Sequence, residues 1–129
     1  MAALLTAPTA KADMPDDPLT FFANCAGRLS AELSFRWLFS DPSADQVEAM
    51  RQTTLDIVAA LTPPGEARTV LNRRIEAHAA HSALLTRAHF TGDAWASDHA
   101  ARSLMRCARY VLDPGDLAWV DAPLRARLR

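Results

Sequence analysis

Apolar positions recur every three or four residues through most of the chain, and proline-containing stretches separate the segments that show this pattern. Such spacing places apolar side chains on one face of a helix. The first helix is predicted from about Pro18 to Phe39, with Asp17 as its N-cap and Pro18 at the first helical position, where proline is well tolerated. Its predicted buried face consists of Phe22, Cys25, Ala26, Leu29, Leu33 and Trp37.

The same reasoning predicts three further helices. They cover residues 44–61, about 66–90 and about 94–112. Ser43 and Gln46 are spaced as a capping box at the start of the second helix. The stretch "TPPG" ends that helix, since proline cannot continue it, and Gly92 is the expected stop of the third.

The third helix has two candidate apolar stripes. One consists of Leu71, Ile75, His78, Ser82, Leu85 and His89. The neighbouring stripe consists of Val70, Ala77, His81, Leu84 and Ala88. Alanines on this helix favour helix formation and allow a partner helix to approach closely.

Four helices with short connections favour an all-α fold, an up-down-up-down four-helix bundle. No segment has a strand pattern, and the chain contains only 4 glycines, which disfavours a fold of many tight turns. We expect one helical domain over residues 13–129, with an irregular tail from about residue 113. Residues 1–12 are interpreted as a signal-peptide remnant or a disordered N-terminus.

The two cysteines test this arrangement. Cys25 is about two turns into the first helix, and Cys107 is about one and a half turns before the end of the fourth. In an up-down-up-down bundle both lie at nearly the same height, which predicts a Cys25–Cys107 disulfide worth roughly 4 kcal/mol. The alternative is two buried free thiols, since cysteine also packs as a small hydrophobe.

The N-terminal stretch "MAALLTAPTAKAD" raises the question of export. Ala10-Lys11-Ala12 fits a small-x-small cleavage site, which would leave Asp13 as the new N-terminus. The apolar part is short and no basic residue precedes it, so either the gene starts further upstream or this is a flexible N-terminus. With the predicted disulfide, the site favours a periplasmic or secreted protein; the alternative is a cytoplasmic one. No stretch approaches the ~20 apolar residues of a membrane span.

Two surfaces are candidates for interaction with another protein. The net charge of −1 argues against nucleic-acid binding through bulk positive charge. The segment "FRWLF" concentrates aromatic surface, and not all of Phe35, Leu38 and Phe39 can face one core; they form either an interface or a patch covered by another part of the chain. Arg102, Arg106 and Arg109 form a stripe that would bind carboxylates or phosphates. The alternative there is a solvated face with one ion pair from Asp98 to Arg102.

The histidines suggest a possible metal site. His78 and His81 are one turn apart on the third helix and would need a third ligand from the fourth helix. Candidates for that ligand are His99, Asp93 and Asp98. The alternative is that both histidines are polar edges of a packed helix.

These observations favour a small exported helical protein that acts non-enzymatically, by binding an unidentified protein or by forming a homodimer. A small-ligand or metal-binding bundle is the first alternative, and a cytosolic helical accessory protein is the second. No motif for catalysis and no cofactor signature is evident in the sequence.

Overall fold

The computed structural model describes residues 14–112, and every helix in this range was predicted. The helices are α1 (Pro18–Leu38), α2 (Ala44–Leu61), α3 (Ala67–Thr91) and α4 (Ala94–Val111). Each end lies within one residue of its predicted position, and residues 14–112 contain no strand. The all-α prediction is therefore confirmed. The predicted signal remnant and the predicted tail from about residue 113 lie outside the described residues.

Local chemistry explains some of the helix ends. The Asp17 carboxylate accepts a hydrogen bond from the Thr20 backbone N–H at 3.1 Å, as an N-cap should. Gly92 ends α3 with φ of 64°, a left-handed conformation that glycine adopts without steric cost. The capping box at Ser43 was wrong, because its hydroxyl donates to Asp41 and accepts from Arg36 instead of capping α2.

Helix α1 is the central element of the fold. It packs along α2 and α3 and also contacts α4. Its buried residues therefore extend around most of the helix: Phe22, Ala23, Cys25, Ala26, Gly27, Leu29, Ala31, Glu32, Leu33 and Arg36. A Cβ atom at Gly27 would lie only 2.2 Å from the carbonyl oxygen of Arg74, so glycine permits the close approach of α1 and α3 here.

The core consists of two groups of buried apolar side chains. The larger draws on all four helices: Leu29, Leu33, Ala44, Val47, Met50, Leu84, Leu85, Ala96, Ala100, Leu104 and Ala108. The smaller lies beside the first half of α1: Phe22, Ala23, Ala26, Val58 and Val70. Both groups contain α1 residues, so α1 contributes to both parts of the core.

Two predicted faces need correction. Trp37 is 56% exposed, and the buried position in the last turn of α1 belongs to Arg36. On α3 the buried residues are Val70, Ala77, His81, Leu84 and Leu85, while Leu71 and Ile75 are exposed. The reason is the close contact with α1: Ala77 faces Gly27, where a larger side chain would hold the helices apart.

The predicted disulfide is present. It joins Cys25 on α1 to Cys107 on α4, with 5.6 Å between the two Cα atoms. Both residues are buried. The bond therefore connects the central helix α1 to α4, the last of the helices within residues 14–112. Within residues 14–112, no helix is long and apolar enough to cross a membrane.

Candidate functional site

One end of the bundle carries a cluster of aromatic rings. Helices α1 and α3 finish there, and the rings of Phe35, Phe39, His89 and Phe90 contact one another across the two helices. The centroid of Phe39 lies 4.8 Å from that of Phe35 and 4.3 Å from that of His89, while His89 and Phe90 are 4.7 Å apart. These four residues are named the Phe cluster.

The Phe cluster is only partly covered. Phe39 is 40% exposed and Phe90 is 65% exposed, and the neighbouring Leu38 is exposed as well. The sequence predicted a surface containing Phe35, Leu38 and Phe39 but missed the contribution of α3. The signal was present, since a helix that runs antiparallel to α2 must bring Phe90, two residues before Gly92, to this end.

A second aromatic group lies at the same end, where α4 begins. The Trp95 and His99 rings are stacked, with centroids 5.0 Å apart and planes 8° from parallel. The Arg87 guanidinium lies 5.5 Å from the Trp95 centroid, within range of a cation–π contact. These three residues are named the Trp95 stack, and the Phe cluster, Leu38 and the Trp95 stack together form the aromatic end.

Several charged side chains near the aromatic end are paired within the chain. Arg87 binds the Asp93 carboxylate at 2.5 Å. The pKa of Asp93 is lowered, first because its carboxylate accepts from the Ala96 backbone N–H and then because it accepts from Arg87. Asp98 pairs with Arg102 on α4, as the sequence predicted. These pairs leave the aromatic rings as the most distinctive feature of this surface.

The predicted arginine stripe is exposed and extends away from the aromatic end. Arg102, Arg106 and Arg109 follow α4 toward its C-terminus, which lies at the opposite end of the bundle. Arg106 is close enough to Arg28 for its charge to act there: burial lowers the pKa of Arg28, and the Arg106 charge lowers it further. The structure therefore divides the predicted interaction residues between two surfaces.

Beneath the surface, a charged network joins three elements. Arg36 Nε donates to Glu32 Oε2 at 2.8 Å, and His81 Nε2 lies 3.1 Å from Glu32 Oε1. Arg36 Nη1 donates to the Ser43 hydroxyl at 2.5 Å, which extends the network to the start of α2. The side chains of Glu32, Arg36 and His81 have no exposed area. These three residues are named the buried network.

The contacts of His81 define its tautomer. Arg28 Nη1 lies 3.4 Å from His81 Nδ1 and can only donate, so Nδ1 is an acceptor and the ring proton belongs on Nε2. That proton is then donated to Glu32. Because the network is enclosed, a substrate has no direct access to it, and its role is to hold α1 to α3 and to the start of α2.

Within residues 14–112, the structure brings no third ligand to the proposed metal pair. Both ring nitrogens of His81 face protein side chains, while His78 is half-buried on a different part of α3. Among residues 14–112, no three His, Cys, Asp or Glu side chains are grouped as a metal site requires. His99 stacks on Trp95, Asp93 pairs with Arg87 and Asp98 pairs with Arg102. The metal hypothesis therefore gains no support here.

Comparison of the chain with protein-family models, with curated proteins and with solved structures finds no match. The functional argument therefore depends on the residues and contacts of this molecule.

Proposed function

We propose that the protein acts non-enzymatically, as a helical domain that self-associates through the aromatic end. The observation that carries the proposal is the exposure of Leu38, Phe39, Phe90 and Trp95 at one end of the bundle. Single exposed apolar residues are ordinary on protein surfaces, whereas several at one end are typical of an interface.

The type of side chain supports binding to a protein. Aromatic residues are enriched in protein interfaces, because they bury a large area at a small cost in conformational entropy. Phe39 and Phe90 already contact neighbouring rings, which restricts their motion before any partner arrives. A partner that covers them removes apolar surface from water at a gain of about 25 cal/mol per Å².

A second copy of this chain is the partner that best fits the charges. In a twofold-symmetric dimer the same patch faces itself, so an unpaired charge close to the axis would meet its own copy. Here Arg87 is paired with Asp93, and Asp98 with Arg102. Two aromatic ends therefore meet without strong repulsion, and their rings can pack edge to face across the twofold axis.

Self-association is tested by measuring mass against concentration. We expect sedimentation equilibrium to show twice the 14.1 kDa chain mass at micromolar concentrations or above. The double variant Phe39→Ser/Phe90→Ser removes two exposed rings and should shift the protein to monomer. Leu61→Ser is the matched control, since Leu61 is 38% exposed at the opposite end of the bundle.

A monomer over the whole concentration range would disprove this proposal, as would a dimer that the Phe39→Ser/Phe90→Ser variant leaves intact. Circular dichroism of each variant separates loss of association from loss of helix. A dimer that Leu61→Ser disrupts equally would place the interface elsewhere.

We further propose that the protein works in an oxidising compartment, periplasmic or extracellular. Support comes from the Cys25–Cys107 disulfide, since such bonds persist outside the reducing cytosol. The Ala10-Lys11-Ala12 pattern, outside the described residues, agrees with export. The intact mass of protein from its native host tests both the cleavage after Ala12 and the disulfide. We expect a chain that begins at Asp13 and carries the Cys25–Cys107 bond. An uncut chain with free thiols would support the cytosolic alternative.

A further inference from the structure

A groove on the side of the bundle lies apart from the aromatic end. Gly27 and Ser30 of α1 form one wall, and Leu71, Arg74, Ile75 and His78 of α3 contribute to the other. Its volume is about 250 Å³, slightly below the range of pockets that hold drug-sized molecules, about 300–1,000 Å³. A ligand of this groove is therefore small.

Arg74 of α3 lines this groove, and Arg51 of α2 lies beside it. Arg51 of α2 donates from Nε to the Ser30 hydroxyl at 2.8 Å, so its guanidinium is held beside the α1 wall. Arg74 reaches the groove from α3. Neither has a carboxylate within 4.0 Å among residues 14–112, although three other arginines in this range form close ion pairs or hydrogen bonds with acids.

Arg74 also has an unused donor. Its Nε atom is buried and has no hydrogen-bond partner within the described part of the chain. Buried donors are rarely left unpaired, because each loses its hydrogen bonds to water. Burial lowers the pKa of the Arg74 guanidinium, and the charge of Arg51 lowers it further, which agrees with two cations close together.

Apart from Ser30 and His78, the rest of the groove is apolar. Leu71 lies about one turn before Arg74 and is 48% exposed. Ile75 follows Arg74 directly and is 57% exposed. Both belong to one of the two candidate stripes of α3, and in the structure they leave apolar surface beside Arg74 and Arg51. A guanidinium without a carboxylate partner among residues 14–112, beside an apolar wall, is typical of a site for an amphiphilic anion.

We propose that this groove binds a small monocarboxylate with a short aliphatic chain. The carboxylate accepts charge-assisted hydrogen bonds from the guanidinium of Arg74, which has no carboxylate partner among residues 14–112. The nearby charge of Arg51 adds to the attraction, and the aliphatic chain lies against Leu71 and Ile75. The site is independent of the aromatic end, because it lies midway along α3 and shares no residue with that surface.

Hexanoate is the probe that tests this site. We expect NMR titration to shift the methyl signals of Leu71 and Ile75 in a saturable way. Acetate, which lacks the chain, and hexylamine, which has the opposite charge, should bind at least about tenfold more weakly. Arg74→Gln and Arg51→Gln should each weaken hexanoate binding by about tenfold or more, since each removes a charged donor.

Arg73→Gln is the matched control, because it removes a positive charge from the adjacent position. Arg73 lines a different groove with Asp17 and should leave hexanoate affinity unchanged. Ile75→Ser gives a second measure on an exposed position: it should weaken hexanoate but not acetate.

Three results would overturn the proposal: no saturable shift with hexanoate, equal binding of hexylamine, or undiminished binding to folded Arg74→Gln protein. Vesicles containing an anionic lipid provide the last comparison. Binding to such vesicles without binding of free hexanoate would also overturn it and would indicate a membrane surface instead.

Discussion

The residues Glu32 and Arg36 show that an ion pair with the usual i,i+4 spacing of a helix surface can lie in the core. Glu32 and Arg36 are four residues apart on α1, a spacing that usually indicates a pair on a solvated helix face. Here α1 is surrounded by other helices, and the pair is completed by His81 and Ser43. Burial of such a pair is tolerated because the carboxylate and the guanidinium each have partners, although Arg36 Nη2 makes no hydrogen bond within the described residues.

The exposed pair Asp98–Arg102 provides a direct comparison, since it has the same chemistry and the same spacing. We expect Arg36→Met to lower the free energy of unfolding by about 3–5 kcal/mol, because it leaves a buried carboxylate short of a partner. Arg102→Met should cost at most about 0.5 kcal/mol, since water screens that pair. Urea denaturation of both variants measures the difference, and equal losses would contradict a structural role for the buried network.

Sequence alone did not reveal this pair. The periodicity of α1 indicated one apolar face, and Glu32 and Arg36 lie outside that face in the sequence pattern. Whether they are buried depends on how many helices surround α1, which is a property of the assembled bundle. The sequence marked His81 as a candidate metal ligand but did not indicate its contact with Glu32, because the two residues are 49 positions apart.

At the scale of helices, the contact between α1 and α3 depends on small residues. Helix ends could be predicted because caps and prolines act locally, as at Asp17 and Gly92. For α3, periodicity left two candidate stripes and could not decide between them. The close approach at Gly27 decides for the stripe that contains Val70, Ala77, His81 and Leu84, since only a small side chain such as Ala77 fits there.

Gly27→Ala tests this contact. Alanine is the better helix former by about 1 kcal/mol, so an isolated helix would gain stability. In the protein the new Cβ would collide with the Arg74 carbonyl, and we expect a net loss of about 2 kcal/mol or more in thermal or urea unfolding. Ser34→Ala, at an exposed position of α1, should change stability by no more than about 0.5 kcal/mol. A Gly27→Ala protein as stable as the wild type would mean that the helices separate without cost.

At the scale of the whole molecule, the order and direction of the helices were predictable, whereas the central place of α1 was not. Short connections require neighbouring helices to run antiparallel. That direction placed Cys25 and Cys107 at one height and so predicted their bond. Four amphipathic helices in a row do not indicate which one is surrounded by the others.

The disulfide should dominate global stability. It closes a loop with a sequence separation of 82 residues, and a loop of that size restricts the unfolded chain by about 4–5 kcal/mol. We expect reduction, or the double variant Cys25→Ser/Cys107→Ser, to lower the free energy of unfolding by about this amount in urea. Reductant should have no further effect on the double-serine protein. An unchanged urea midpoint after verified reduction would show that helix packing alone sets the stability.

The same bond also has a consequence for a chain that has been cut. The three connections between helices, at residues 39–43, 62–66 and 92–93, all lie between Cys25 and Cys107. Exposed connections of this kind, such as Pro63 to Glu66, are where proteases usually cleave. A single cut in any of them leaves two fragments still covalently joined. A nicked molecule would therefore keep its helices together and come apart only when the disulfide is reduced.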